Sequence, residues 1–246
     1  MRGLIVFTDA DFPFQMFSAA HLWPLGLLLA AALGLYLLRE RLRTPGLNRL
    51  VRLCMAGLLL ITEASYHIWA IWNGTWTVGY SLPLHICGLA GLLSAVMLIS
   101  RSYFIFELVY FWGLGGATQA LLTPDLGSYS FPHYMYYKFF ISHSLIVLAV
   151  LFMVFAEQYR PTFKSIGKVF IITNVYAAVI AAVDWLTGGN YLYLCEKPPG
   201  PSLLDWLGPW PWYIAVLEII VVLSCLLCYL PYICCPLGKA KHTNKA

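Results

Sequence analysis

Apolar residues in this chain run in long stretches separated by short polar connections. The stretches fall at 17–38, 50–72, 81–99, 103–122, 133–155, 166–186 and 211–230. A helix rises about 1.5 Å per residue, so roughly 20 apolar residues cross a hydrocarbon layer about 30 Å thick. Each stretch is close to that length, which predicts an all-α, polytopic membrane helical bundle of about seven transmembrane helices. It forms a single integral membrane domain over 1–246. The first stretch is too long for a signal peptide, lacks a basic leader and has no small-residue cleavage site before Arg39. It reads as a retained helix.

Composition agrees with the pattern. With 61% apolar and 11% charged residues and a mean hydropathy of +0.75, the chain has too little polar surface to cover itself in water. Its solvent is lipid. The net charge of +4 is explained by topology rather than by an acidic partner. Arg39, Arg41, Arg43, Arg49, Arg52, Arg101, Arg160, Lys164, Lys168, Lys239, Lys241 and Lys245 fall on one side of the predicted spans; only Arg2, Lys138 and Lys197 fall on the other. By the positive-inside rule the N-terminus lies outside and the C-terminus in the cytoplasm, in a multi-pass protein of the cell membrane. Nucleic-acid binding has no support.

The membrane-embedded polar groups are also unevenly placed. His21, Glu63, His67, His85, Cys87, Gln119, Lys138, His143, Asp184 and Glu218 lie in the outer halves of their spans. Cys87 falls about six residues and His143 about ten residues below the outer helix ends, roughly 9 and 15 Å deep. An ionisable residue at mid-membrane costs at least about 2.5–3.5 kcal/mol on insertion scales, so such a layer normally faces a bundle interior or a wet cavity. An outward-facing polar site is the expectation, against the plainer reading of hydrogen bonds between helices. Glu107, near the cytoplasmic interface, is expected to pair with Arg101 or meet water, without a functional role.

Several segments carry more detail. The third stretch opens Ser81-Leu82-Pro83-Leu84-His85-Ile86-Cys87-Gly88; as helix it would tolerate Pro83 in its first turn and point His85 and Cys87 about 200° apart. The fourth ends in a glycine-rich segment in which Gly116, Gln119 and Thr123 share a face, expected to make a tight helix pair with Gln119 bonding across it, and Pro124 ends the helix. The fifth puts Tyr136 and His143 on one face, with Lys138 able to snorkel outward. The segment 187–212 is rich in Trp and Pro and reads as an aromatic cap in the headgroup region, covering the cavity or serving only as a belt.

Seven cysteines do not form a disulfide framework, because Cys54, Cys87, Cys225 and Cys228 lie inside spans and Cys195 has no obvious partner. Cys225 and Cys228 have CxxC spacing in an apolar helix, where packing is the expected role rather than zinc or redox chemistry. Cys234 and Cys235 also read as packing residues rather than lipidation sites. No metal or cofactor is expected.

The segments LPLHICG, GGATQALLTPDL, FPHYMYYKFFISH and NYLYLCEKPPGPSLLDWLGPWPWY resemble the YwaF-like family of bacterial integral membrane proteins, from about the second stretch to the seventh. The chain is more distantly similar to the transmembrane protein 164 family, whose vertebrate member is regarded as a cysteine-dependent phospholipid acyltransferase. That resemblance implies a Pro-Cys-His motif and a histidine in a later helix. His143 fits the later histidine and His85 the histidine of the motif, but Leu84 stands where the nucleophile would be. Cys87, three residues on, is the replacement this chain offers.

The expected activity is therefore acyl transfer or ester hydrolysis on membrane lipids. Cys87 would be nucleophile and His143 base, with His85 or Gln119 steadying the oxyanion and Lys138, Asp184, Glu218 and Tyr136 binding substrate. In such a pair the imidazole accepts the thiol proton and the thiolate attacks an ester carbonyl. The alternative is a non-catalytic binding or transport protein for a small or amphipathic ligand, held by the same polar groups. A familiar secondary transporter is disfavoured by the lack of an inverted repeat, and a sensory receptor is a third possibility.

Overall fold

The computed structural model describes residues 13–198 and 203–234. Arg2, Cys235, Lys239, Lys241, Lys245 and part of the predicted cap lie outside the described residues. The helices are α1 Ala19–Leu37, α2 Pro45–Trp72, α3 Ile86–Ser100, α4 Tyr103–Leu122, α5 Tyr134–Phe155, α6 Phe163–Thr187 and α7 Trp212–Cys234. A one-turn helix at Arg39–Leu42 and 3-10 turns at Tyr191–Tyr193 and Leu203–Leu207 complete the regular structure. Among the described residues there is no strand, and all of these seven helices except α3 are long and apolar enough to span a membrane.

The third stretch departs from expectation. Rather than starting at Ser81, α3 starts at Ile86 and has 15 residues, about 22 Å of helix. Residues 81–85 form a non-helical lead-in, with His85 as N-cap in an extended conformation. Side chains distant in sequence satisfy its backbone: the Leu82 amide donates to the Tyr191 hydroxyl at 2.9 Å, and the Tyr176 hydroxyl donates to the Leu84 carbonyl at 2.6 Å. With those groups bonded, the segment needs no helical ladder at this depth. His85 and Cys87 are therefore not two points on one helical wheel, and Cys87 is the second residue of its helix rather than the seventh.

Local chemistry fixes most other ends. Pro45 occupies the first turn of α2, where a missing amide costs nothing. Ser102 caps α4, its hydroxyl accepting from the Ile105 amide, and Thr162 and Ser165 form a capping box on α6. Gly188 ends α6 at φ +66°, a left-handed conformation that glycine adopts without strain.

Helix α5 is the hub and packs against α1, α2, α3 and α4. The core lies mainly between α3, α4 and α5, with Ala95, Leu98, Phe106, Val109, Ala149 and Phe152 buried. Leu29, Ile171, Trp185 and Leu227 on α1, α6 and α7 are largely exposed, as suits lipid-facing helices. Between helices in lipid, apolar burial gives little net drive, so association rests on close packing and hydrogen bonds.

Two glycines of α4 supply the close packing. A Cβ on Gly113 would stand 3.0 Å from Ile146 Cγ2 and 3.1 Å from Val150 Cγ2 of α5, and one on Gly115 would stand 2.8 Å from Ser224 Oγ of α7. The expected face of Gly116, Gln119 and Thr123 is not the one used. A Cβ on Gly116 would meet nothing within 4 Å, and the Gln119 amide donates to Thr123 Oγ1 of its own helix at 2.9 Å, not across an interface. The reason is a π-helical turn at Trp112–Ala117, which adds a residue to the turn and rotates every later position relative to a 3.6-residue count. Trp112 Nε1 donates to Thr173 Oγ1 at 2.9 Å and ties this turn to α6.

The two ends of the bundle differ. The basic end, with connections 38–44, 101–102 and 156–162, holds a charge network of Asn48, Arg52, Arg101 and Glu157. Glu157 Oε1 lies 3.7 Å from Arg52 and 3.5 Å from Arg101, and both guanidinium groups donate to Asn48 Oδ1. Glu107 is not partnered by Arg101 as expected: it is buried, accepts from Ser165 Oγ at 2.6 Å and pairs with Lys168 of α6. Arg101, left-handed at φ +56°, lies 3.5 Å from Glu157 instead. The opposite, loop-rich end carries 73–85, 123–133 and 188–211. His21 there is a satisfied structural group, accepting from the Phe17 amide and donating from Nε2 to the Leu121 carbonyl at 2.9 Å.

Candidate functional site

Lys138 organises the polar groups at the loop-rich end. It is the fifth residue of α5, near enough to the helix start for its long stem to reach outward, yet its side chain is only 20% exposed. Rather than snorkelling, the ammonium lies 3.8 Å from Glu63 Oε2 on α2 and 4.7 Å from the centroid of the Tyr66 ring. The carboxylate and the aromatic face together compensate a cation drawn inward. The same charge acts on Cys87 of α3 and on His143 one and a half turns further along α5. A thiol, an imidazole and a cation from two helices thus share one electrostatic neighbourhood.

The two histidines are held in complementary tautomers. His143 Nδ1 lies 2.8 Å from the Phe139 carbonyl oxygen, which can only accept, so Nδ1 carries the proton and the lone pair is at Nε2. His85 is reversed: its Nδ1 accepts from the Leu192 amide at 3.3 Å, so in the neutral ring Nε2 is the donor. One imidazole offers a base and the other a hydrogen-bond donor.

His85 is placed by a strap from the connection between α6 and α7. Asp184, buried near the end of α6, accepts the Tyr191 amide at 2.9 Å; the Tyr191 hydroxyl donates to the Val78 carbonyl at 2.7 Å. The rings of Tyr191 and Tyr193 lie 5.3 and 5.4 Å from that of His85. Leu192 and Tyr193 are non-glycine residues at φ +58° and +55°. Such backbone strain persists only where surrounding contacts fix it. Tyr193 is also an electrostatic neighbour of Cys87, and burial pushes its phenol above the ordinary value, so it stays a protonated donor.

Cys87 and His143 are thus within electrostatic range of Lys138, while His85 is held by the strap that Asp184 anchors. Three other expected site residues lie elsewhere. Tyr136 is buried and donates from its hydroxyl to the Ala20 carbonyl of α1 at 2.5 Å. Gln119 is on an exposed face of α4, and Glu218 accepts from Asn174 Nδ2 at 3.0 Å between α6 and α7. Sequence reading misses Tyr66, Trp76, Tyr191 and Tyr193, and gives Glu63 and His67 a depth but no partner. The spacing Glu63-x-x-x-His67 is a legible signal, because residues four apart share a helix face. Among the described residues no cluster of three or more His, Cys, Asp or Glu has metal-ligand proximity.

Comparison with known proteins adds the lineage. A stretch of 151 residues is 27% identical to an uncharacterized protein of Treponema pallidum (strain Nichols), covering 61% of this chain and 62% of that one. No solved structure matches. The sequence model of the TMEM164 family matches residues 16–229, which takes in all of α1 to α6 and most of α7. With that match over most of its length, this multi-pass membrane protein belongs to the TMEM164 family.

Proposed function

We propose that the protein is a lipid-acting acyltransferase or ester hydrolase with Cys87 as nucleophile. The observation that carries this reading is the tautomer of His143, whose Nδ1 bonds the Phe139 carbonyl at 2.8 Å and so leaves the lone pair at Nε2 to take a proton. His143 Nε2 takes the thiol proton, and a bond forms between Cys87 Sγ and the acyl carbon. His143 returns the proton to the alkoxide as the ester C–O bond breaks. An acceptor alcohol or water then resolves the thioester with the same base. The oxyanion faces the Lys138 ammonium and the Nε2–H of His85, since donors aimed at developing charge contribute most in a site shielded from water. We place the N-terminus outside, the C-terminus in the cytoplasm, and the chain in the cell membrane beside the YwaF-like bacterial group.

A general base contributes about a hundredfold or more to such a step. In the purified protein, His143→Gln is expected to slow labelling of Cys87 by a lipid-tailed electrophile by that factor. Labelling that persists in Cys87→Ala ends the nucleophile assignment. The second reading, a binding or transport protein, is favoured by the Lys138–Glu63 pair, which offers both charges to a polar ligand. It predicts labelling indifferent to His143, and no difference in lipid profile between cells with and without the protein.

A further inference from the structure

The proposed chemistry uses Lys138 but leaves its two neighbours, Glu63 and His67, without a task. They form an ordered chain. Trp76 Nε1 donates to His67 Nδ1 at 3.0 Å, which puts the proton of the neutral ring on Nε2, 3.5 Å from Glu63 Oε1. The other carboxylate oxygen faces Lys138. Glu63 is thus held between two nitrogen-borne protons, one on its own helix and one on α5, and its side chain is only 16% exposed. A lysine four residues into a membrane helix otherwise sends its ammonium out to hydrated headgroups. Tyr66 offers only a ring face, whereas Glu63 supplies a full counter-charge.

We propose that Glu63 is a positioning residue. Steadied by the Trp76–His67 pair, it holds the Lys138 ammonium inward, beside Cys87 and His143. The functional consequence rests on the reading given above, but the positioning itself can be read directly at the lysine.

The test uses the full chain in lipid nanodiscs and a water-soluble amine-acylating reagent, with modification of Lys138 measured by peptide mass spectrometry against the exposed Lys164. Glu63→Gln is expected to raise Lys138 acylation about tenfold, equivalent to ~1.4 kcal/mol. Glu63→Asp, which keeps the charge, returns it toward the native rate. An unchanged rate in Glu63→Gln, or an equal rise in Glu63→Asp, overturns the proposal. If Glu63→Gln does not fold, Trp76→Phe decides: a smaller rise supports the chain and no rise overturns it. Cys87 labelling separates the two levels. Where acylation responds as expected but Lys138→Met leaves Cys87 labelling untouched, the positioning stands and the catalytic reading of Lys138 falls.

Discussion

Replacing Lys168 with methionine is expected to destabilise the protein by about 3–5 kcal/mol, because it strands the Glu107 carboxylate in the core. The Glu107 side chain is 3% exposed, and its remaining partner is the neutral Ser165 hydroxyl. Lys168 is itself 43% exposed, so a view of the surface alone predicts a mild effect. The asymmetry lies in what is left behind: the lysine could rehydrate if Glu107 were lost, but Glu107 cannot reach water if the lysine is lost. Glu107→Gln is therefore expected to be the milder change. Thermal unfolding in detergent, comparing both variants with the parent chain, checks the order. A Lys168→Met protein as stable as the parent refutes the pairing.

Glu157→Gln is expected to cost a similar amount, about 3–5 kcal/mol, by leaving Arg52 without its counter-charge. The Arg52 side chain is 7% exposed, and its other partners, Asn48 Oδ1 and the Leu98 and Ile99 carbonyls, are neutral. Arg101 also pairs with Glu157 but is 45% exposed and can turn to solvent or headgroups. Adding Arg101→Gln to Glu157→Gln should therefore add little, whereas adding Arg52→Met should recover part of the loss. Contacting residues are expected to be non-additive in this way, and the double-mutant cycle in detergent measures it. Fully additive losses contradict the network.

These two pairs show where sequence reading stops. Hydropathy identifies the spans because it reads the solvent, and lipid accepts only segments that satisfy their own backbone. The start of α3 is not legible in that way, since Tyr176 and Tyr191, distant in sequence, satisfy the backbone of 81–85 and make helix unnecessary. The depth of the polar layer is legible for the same reason as the spans. Its direction is not: Lys138 turns inward because Glu63 and Tyr66 meet it, while Glu218 finds Asn174 instead of the site. A count of 3.6 residues per turn cannot place Gln119, because the segment before it makes a π turn. Proximity in sequence favours Arg101 for Glu107, but Lys168 reaches it because α6 packs on α4.

Leu84 stands between Pro83 and His85, so the thiol this segment offers is that of Cys87. The strap of Tyr191–Tyr193 adds a donor histidine from the same end of the bundle. The proposed chemistry requires that the Cys87 sulfur and the His143 imidazole open onto one space.

A cross-linking measurement tests that requirement most directly. In a chain with every other cysteine replaced, Cys87 is paired either with His143→Cys or with Tyr136→Cys, treated with a one-carbon thiol cross-linker, and mapped by peptide mass spectrometry. The account predicts an intramolecular link from Cys87 to position 143 and none to position 136, whose side chain faces α1. A chain that links to position 136, or to neither, would contradict it.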